Sequence, residues 1–185
     1  SDLFLSVINS ESERLSRLLN ETLDLAKIGS GNFDLNATDL DPAPVLQDCV
    51  KLYEPLASQQ HLEIRVDLEP DLGEVLMNAD RLKQVVCNLL DNALKFTPVG
   101  TIWLRAERRD GNLLVAVSDS GIGIEPHNLD AIFERFHQGG MVVSGKPRGL
   151  GLGLSLCREI VQRYMGRIWV ESEVGRGSTF FVQFP

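Results

Sequence analysis

The chain has 185 residues, of which 43% are hydrophobic and 24% charged, with a formal net charge of −8 and a pI near 4.9. This length can bury a proper core, and the acidic balance argues against nucleic acid or an anionic membrane as a partner, so a polyanionic ligand would need local positive charge. The sequence shows no secretory leader and no apolar run near the roughly 20 residues of a membrane span.

The first 28 residues predict one long helix. Its apolar positions, spaced as in a coiled coil or helical bundle, are Phe4, Ile8, Leu15, Leu18 and Leu25. We expect the partner helices to lie outside this sequence, which opens within a helical pattern without a Met and is therefore expected to be part of a longer protein. The run Gly29-Ser-Gly-Asn ends the helix and marks the favoured domain boundary.

From about residue 33 onwards, the pattern predicts helices that alternate with strands. The predicted strands are 33–40, 62–68, 75–77, 101–108, 113–119, 168–172 and 179–184, and the predicted helices are 42–60, 79–96 and 151–165. Helices that alternate with antiparallel hairpins favour an α/β (α+β) two-layer sandwich, in which the helices cover one face of a mixed sheet.

The helix predicted over 79–96 carries a polar stripe beside its apolar face. At about 100° per residue, the stripe comprises Arg81, Gln84, Asn88, Asn92 and Lys95, and the apolar face comprises Leu82, Val85, Val86, Leu89 and Ala93. A polar stripe usually means a solvated surface, but Asn is a weak helix former and is uncommon there. The two asparagines therefore predict a face directed at a ligand.

Two glycine motifs follow, and neither is specific alone. Asp119-Ser-Gly-Ile-Gly123 ends a strand and is either a common turn or a carboxylate that accepts a hydrogen bond from a base, with glycines that let the ring approach. Gly149-Leu-Gly151-Leu-Gly153 opens a helix, where backbone N–H groups and the helix dipole suit phosphate. Lys146 and Arg148 add positive charge just before it.

The segment 132–137 lies between these motifs and contains Phe133 and Phe136. Because aromatic residues usually belong to the core, we favour a short helix that buries both rings. The glycine-rich stretch 137–148 is expected to form a mobile lid anchored by these aromatics.

Three cysteines lie in apolar helical patterns: Cys49, Cys87 and Cys157. Their odd number and their positions predict reduced core thiols of a cytosolic protein. Their spacing does not indicate a metal site.

In this order the motifs resemble those of histidine kinase ATP-binding domains, of the Bergerat (GHKL) superfamily that includes DNA gyrase, MutL and the heat-shock chaperone ATPases. The asparagine helix, Asp-x-Gly-x-Gly, the phenylalanine segment and Gly-x-Gly-x-Gly match the N, G1, F and G2 boxes, and Gly175-Arg-Gly177-Ser-Thr179 matches the closing Gly-x-Gly-x-Thr. The resemblance covers about residues 33–185, the expected ATP-binding domain. Residues 1–30 resemble the second helix of the dimerisation and phosphotransfer bundle.

The resemblance implies a role for each motif residue. Asn92 would ligate Mg²⁺ through its side-chain oxygen, Asn88 would hold the metal-bound water and phosphates, and Lys95 would contact a phosphate. Asp119 would accept the adenine amino hydrogen bond, with support from Thr179 through water. The other residues implied at the ATP site are Gly121, Gly123, Phe133, Phe136, Lys146, Gly149, Gly151, Leu152, Gly153 and Arg148, the last reaching the γ-phosphate.

The sequence departs from the wider superfamily at Asn88, where ATP-hydrolysing relatives carry a Glu that activates water. An amide cannot accept that proton, so we expect slow hydrolysis and transfer to a histidine imidazole. Leu150 replaces the usual Thr or Ser of the G2 box and removes one hydroxyl. The acceptor is expected on a helix before Ser1, because His61, His127 and His137 do not lie on a bundle helix.

The resemblance therefore implies a protein-histidine kinase fragment, located in the cytoplasm, that lacks its own acceptor. Its implied partners are ATP or ADP, Mg²⁺, a response regulator receiver domain and a second copy bound through the helical bundle, with no nucleic acid and no membrane contact by these residues. Two alternatives stay open: a nucleotide-sensing interaction module that signals without transfer, and an anti-sigma-factor serine kinase of the same superfamily.

Overall fold

The computed structural model describes residues 2–138 and 151–185. The chain divides into two compact units, Ser1–Asp34 and Leu35–Pro185. The first unit contains helix α1, Asp2–Gly29. The helices of the second unit are α2 (Pro42–Gln59), α3 (Ala79–Phe96) and α4 (Gly153–Arg163), with short 3₁₀ turns at Pro126–Asn128 and Ala131–Phe133. Its strands are β1 (Thr38–Leu40), β2 (Leu62–Leu68), β3 (Val75–Met77), β4 (Gly100–Arg109), β5 (Asn112–Asp119), β6 (Arg167–Glu173) and β7 (Gly177–Phe184).

The main sheet of the second unit has five strands in the order β2-β4-β5-β7-β6. Strand β2 pairs with β4 in parallel, and the other neighbours pair antiparallel. Strands β1 and β3 form a separate antiparallel pair. Helices α2, α3 and α4 each pack on strands of the main sheet. The predicted two-layer sandwich with a mixed sheet is confirmed.

The strand register assigns alternate side chains to the two faces of the sheet. Ile102, Val117 and Phe180 are buried on the face that the helices cover. The opposite face carries aromatic rings with arginines above them. Trp169 stacks on Phe181 with 5.0 Å between the ring centroids, and Arg167 lies 5.1 Å from the Trp169 ring.

Helix α3 begins and ends where the sequence predicts. Residues next to each end determine these bounds. The Asn78 side chain accepts hydrogen bonds from the N–H groups of Asp80 and Arg81, at 2.8 and 3.2 Å, and so caps the first turn. Thr97 leaves the helical conformation directly before Pro98. The five apolar residues predicted to face the core are all buried.

The structure corrects several predicted details. The strand predicted over 33–40 is confined to Thr38–Leu40, and the last helix begins at Gly153 rather than 151. Within the predicted strand 62–68, Val66 is exposed, because β2 is an edge strand. Cys87 is half-buried rather than part of the core, because it lies beside the polar stripe of α3. Within the described ranges, no helix is long and apolar enough to cross a membrane.

The α3 core can be tested with two leucines of opposite environment. Leu89 has no exposed surface, whereas Leu76 is 62% exposed. We expect Leu89→Ala to lower the free energy of unfolding by about 2–5 kcal/mol, because it removes buried methyl groups and leaves a cavity. Leu76→Ala should change it by at most about 0.5 kcal/mol. Urea unfolding followed by circular dichroism measures both, and equal losses would contradict the assigned core.

Candidate functional site

The polar stripe of α3 lies at the margin of the core rather than in open solvent. Asn88, Asn92 and Lys95 are each half-buried. The Asn88 side-chain amide donates to the carbonyl oxygen of Gly153, at 3.4 Å, and Gly153 is the first residue of α4. The Lys95 ammonium lies 5.1 Å from the centroid of the Phe96 ring. The stripe therefore borders the N-terminus of a second helix.

The N-terminus of α4 presents backbone donors beside this stripe. Among the described residues no side chain caps the helix, so its first N–H groups are left to water or to an anion. Gly151 has a φ of 73°, and a side chain there would overlap the His137 carbonyl. The Phe136 N–H donates to the Gly151 carbonyl at 3.1 Å. The segments at 136–137 and 151 are thus held together through backbone contacts.

The Asp119 carboxylate lies at the end of β5, close to three donor groups. It accepts a hydrogen bond from the Gly121 N–H at 2.8 Å, and the nearby Ser178 N–H and Thr97 hydroxyl also favour its ionised form. Burial raises the pKa of Asp119 to about 6, and these three donors oppose that rise. A carboxylate fixed in this way still has lone pairs for a further donor.

Close backbone packing connects Asp119 to the end of α3. The Ile122 N–H donates to the Phe96 carbonyl at 3.1 Å, and a side chain on Gly121 would overlap that same carbonyl. Gly123 has a φ of 73° and packs in the same manner against the Glu173 backbone. Close approach requires both glycines, and the positive φ at Gly123 favours glycine there as well. The loop after β5 therefore positions Asp119 and the α3 stripe on one rigid frame.

The structure does not bring Thr179 to Asp119. Asp119 pairs with Ser178, so the next residue along β7 points to the opposite face of the sheet. There the Thr179 hydroxyl donates to the Ser118 hydroxyl at 2.9 Å. Thr179 was expected to support Asp119 through water, but it lies on the other face of the sheet. Ser178 is the residue of β7 that lies beside Asp119.

The two phenylalanines of segment 132–137 have different environments. Phe133 is buried and packs edge-on against Phe180, with 6.2 Å between the centroids. Phe136 is 67% exposed. The favoured interpretation that both rings are buried is wrong for Phe136, because the 3₁₀ turn ends at Phe133 and the backbone takes a φ of 62° at Phe136. Such a conformation is rare for a bulky residue and often marks a functional segment.

Four residues of the predicted phosphate loop, Lys146, Arg148, Gly149 and Leu150, lie outside the described residues. The part of the predicted lid that falls within 139–148 lies outside them as well. Leu152 is buried at the start of α4, where its carbonyl accepts from the Ser155 hydroxyl at 2.8 Å.

The sequence did not indicate that Thr97 and Ser178 lie beside Asp119. Thr97 stands between the end of α3 and Pro98, where its hydroxyl can act as a donor. Ser178 could have been found from strand register, because β5 and β7 must pair directly for the two residues to be neighbours. No local motif carries that information.

Comparisons with known proteins agree with this geometry. The model of the histidine kinase-, DNA gyrase B-, and HSP90-like ATPase family matches residues 77–185. Drug sensory protein A of Synechocystis is 39% identical over an alignment of 193 positions, which covers 96% of this chain and 28% of that protein. The sensor histidine kinase RcsC of Escherichia coli is 36% identical over 187 residues, with 100% of this chain and 20% of that protein covered.

Among solved structures, full-length ShkA in complex with AMPPNP aligns with a TM-score of 0.86 at 28% identity, covering 100% of this chain and 38% of that chain. The chain belongs to the histidine kinase-, DNA gyrase B-, and HSP90-like ATPase family, and its relatives are sensor histidine kinases. It spans about a fifth to a quarter of the length of the two curated relatives.

The burial of Asp119 predicts a pH-dependent stability. Its pKa of about 6 lies above the ordinary 3.8, so the folded state holds a proton that the unfolded state has lost between these values. As pH rises through this window, the free energy of unfolding of the native protein should therefore fall by up to about 3 kcal/mol relative to that of Asp119→Asn. Urea unfolding across the pH range measures this loss of stability.

Asp110→Asn, in the exposed β4–β5 turn, is the control and should follow the native profile. Parallel curves for Asp119→Asn and native protein would contradict the buried carboxylate.

Proposed function

We propose that this chain is the catalytic ATP-binding portion of a two-component sensor histidine kinase, and that it transfers the γ-phosphoryl group of ATP to a histidine on a bundle helix outside this sequence. One observation carries the proposal. The half-buried stripe Asn88, Asn92 and Lys95 borders the N-terminus of α4, while the loop after Asp119 is tied to the C-terminal end of α3 through the Phe96 carbonyl. This arrangement offers amide, cationic and N–H groups for phosphates along α3 and at the start of α4, and a fixed acceptor for a base beyond Phe96.

The adenine end depends on the ionised Asp119. The exocyclic amino group of adenine is a donor, and the carboxylate can accept it while the Gly121, Ser178 and Thr97 donors keep it oriented. The absence of a side chain at Gly121 lets the backbone approach closely. Asp119 would therefore select a base that carries an amino group at this position.

The phosphate end depends on neutral and cationic groups. Asn92 fits Mg²⁺, because an amide oxygen is a suitable ligand for a hard cation that keeps phosphate oxygens and waters as its other ligands. Across the described residues no cluster of three or more His, Cys, Asp and Glu side chains could hold a metal ion, so the phosphates would supply the remaining charge. Bound Mg²⁺ would neutralise charge on the phosphates, and Lys95 and the α4 N–H groups would orient them.

Transfer is favoured over hydrolysis by the chemistry of Asn88. The amide donates to the Gly153 carbonyl and cannot take a proton from water. A neutral imidazole needs no base to become a nucleophile, so positioning and charge neutralisation by this unit suffice. Phosphorylation of a histidine is therefore the reaction that these residues support.

The first unit supports association with a further helix. Large apolar side chains on α1 are exposed, including Phe4, Leu15 and Leu19. A helix with an exposed apolar stripe favours bundle formation, which fits dimerisation through the missing helix and a second copy. A cytoplasmic location and a response regulator as the next phosphate acceptor are part of the same proposal.

The metal role is tested with Asn92→Ala. Native protein should bind ATP more tightly with Mg²⁺ than without it. In the variant, the gain in affinity from Mg²⁺ should be smaller by about tenfold or more, and the affinity without Mg²⁺ should be unchanged. Isothermal titration measures both conditions. Asn112→Ala, at the opposite end of β5 from Asp119, is the matched control and should behave as native protein. An undiminished Mg²⁺ gain in Asn92→Ala would remove Asn92 as the ligand.

The transfer reaction is tested by supplying a helical bundle that carries an acceptor histidine, together with ATP labelled at the γ-phosphate. We expect label on histidine, lost in acid and retained in base, and little free phosphate without the bundle. Asn92→Ala should reduce labelling by about tenfold or more. Acid-stable label would indicate a serine kinase. Tight ATP binding without labelling of an intact bundle would indicate a nucleotide-sensing module.

A further inference from the structure

Two cysteines meet where α2 packs against α3. The sulfur atoms of Cys49 on α2 and Cys87 on α3 lie 3.8 Å apart, although the residues are 38 positions apart in sequence. Both are free thiols, and neither has a part in the nucleotide site described above. Nothing in the sequence pattern predicted that they would be neighbours.

The two thiols differ in their access to solvent. Cys49 is completely buried, whereas Cys87 is half-buried and keeps some solvent contact at the edge of the polar stripe. Cys87 is therefore the thiol that a small molecule can reach, and Cys49 stands behind it. This is the arrangement of an attacking cysteine with a resolving cysteine next to it.

The surroundings favour a thiolate at Cys87. Hydrogen bonding with Cys49 lowers the pKa of Cys87, and the nearby Lys83 ammonium and the Tyr53 hydroxyl act in the same direction, while burial and Asp91 oppose it. The same hydrogen bond, together with burial and the neighbouring Asp48, raises the pKa of Cys49. The more accessible sulfur is therefore also the one whose pKa is lowered.

We propose that Cys49 and Cys87 form an oxidation site, in which a hydroperoxide such as hydrogen peroxide oxidises Cys87 and Cys49 then closes a reversible disulfide between α2 and α3. The proposal rests on the distance between the sulfurs and on their unequal exposure. It does not depend on the nature of the reaction at the nucleotide site.

The chemistry balances in two steps. The Cys87 thiolate attacks one peroxide oxygen, the O–O bond breaks, and the leaving hydroxide takes up a proton to give water and a sulfenic acid on Cys87. The Cys49 sulfur then attacks the Cys87 sulfur, an S–S bond forms, and the hydroxyl leaves with the Cys49 proton as a second water. Two thiols are oxidised, one peroxide is reduced, and a dithiol reverses the reaction by thiol–disulfide exchange.

The geometry permits the bond with small movements. A disulfide has an S–S distance near 2.05 Å, so the sulfurs must approach by about 1.8 Å. Rotation of the two side chains, with a slight shift of the helices, can provide this. The disulfide would fasten α2 to α3 at the residue directly before Asn88.

Cys157 provides an internal control. It is buried on α4, and its sulfur lies 3.7 Å from the Val85 carbonyl oxygen rather than against another thiol. It therefore does not have the solvent access of Cys87, and its sulfur contacts a backbone oxygen.

The test treats the whole chain with hydrogen peroxide, blocks remaining thiols by alkylation and maps peptides without reduction. We expect a Cys49–Cys87 cross-link within one chain, formed at a rate independent of protein concentration, removed by dithiothreitol and unchanged in Cys157→Ser. In Cys49→Ser, a sulfenic acid should accumulate on Cys87 and be trapped by a 1,3-diketone probe. In Cys87→Ser, thiol loss should slow at least about tenfold.

Circular dichroism checks that each variant is folded, and Cys49→Ala replaces Cys49→Ser if the buried hydroxyl unfolds the protein. Three results would each overturn the proposal. These are a cross-link to Cys157, oxidation of Cys87 that stops at sulfenic acid in the native protein, and undiminished reactivity in Cys87→Ser. These readouts are covalent, so they stand whether or not the chain transfers phosphate.

Discussion

The burial of one side of α3 is the constraint on which the rest of the site depends. Leu82, Val85, Val86 and Leu89 have no exposed surface, and each contributes roughly 1.5–3 kcal/mol by leaving water. A rotation of the helix by one residue would expose these side chains and bury amides without partners. The apolar side thus fixes the angle at which Asn88, Asn92 and Lys95 are presented.

The second constraint joins this helix to the sheet. The Phe96 carbonyl at the end of α3 accepts from Ile122, in the loop that follows Asp119. A glycine is needed at 121 because any side chain would displace that carbonyl. The stripe proposed to bind phosphates and the proposed acceptor for a base are consequently connected through one backbone contact. In the proposed function, binding of a nucleotide would then require little rearrangement of these two parts.

The electrostatics of the site reconcile an acidic protein with a polyanionic ligand. The net charge of −8 opposes a phosphate chain in general, yet the α3 stripe carries amides and a lysine in place of carboxylates. In the proposed function, the Asn88 amide would avoid repulsion of the phosphates and could not act as a hydrolytic base. The buried carboxylate, Asp119, lies beyond Phe96, where three donors offset part of its desolvation.

The sequence by itself determined the elements and the chemistry carried within each one. Periodicity and capping placed α3 at 79–96, and motif order indicated the family, because these signals are local and depend on residues a few positions apart. Only the tertiary structure decided which face of β7 meets Asp119, that Phe136 is exposed, and that Cys49 lies beside Cys87. Strand register and helix packing bring together residues far apart in sequence, and a shift of one residue reverses the face of every side chain in a strand.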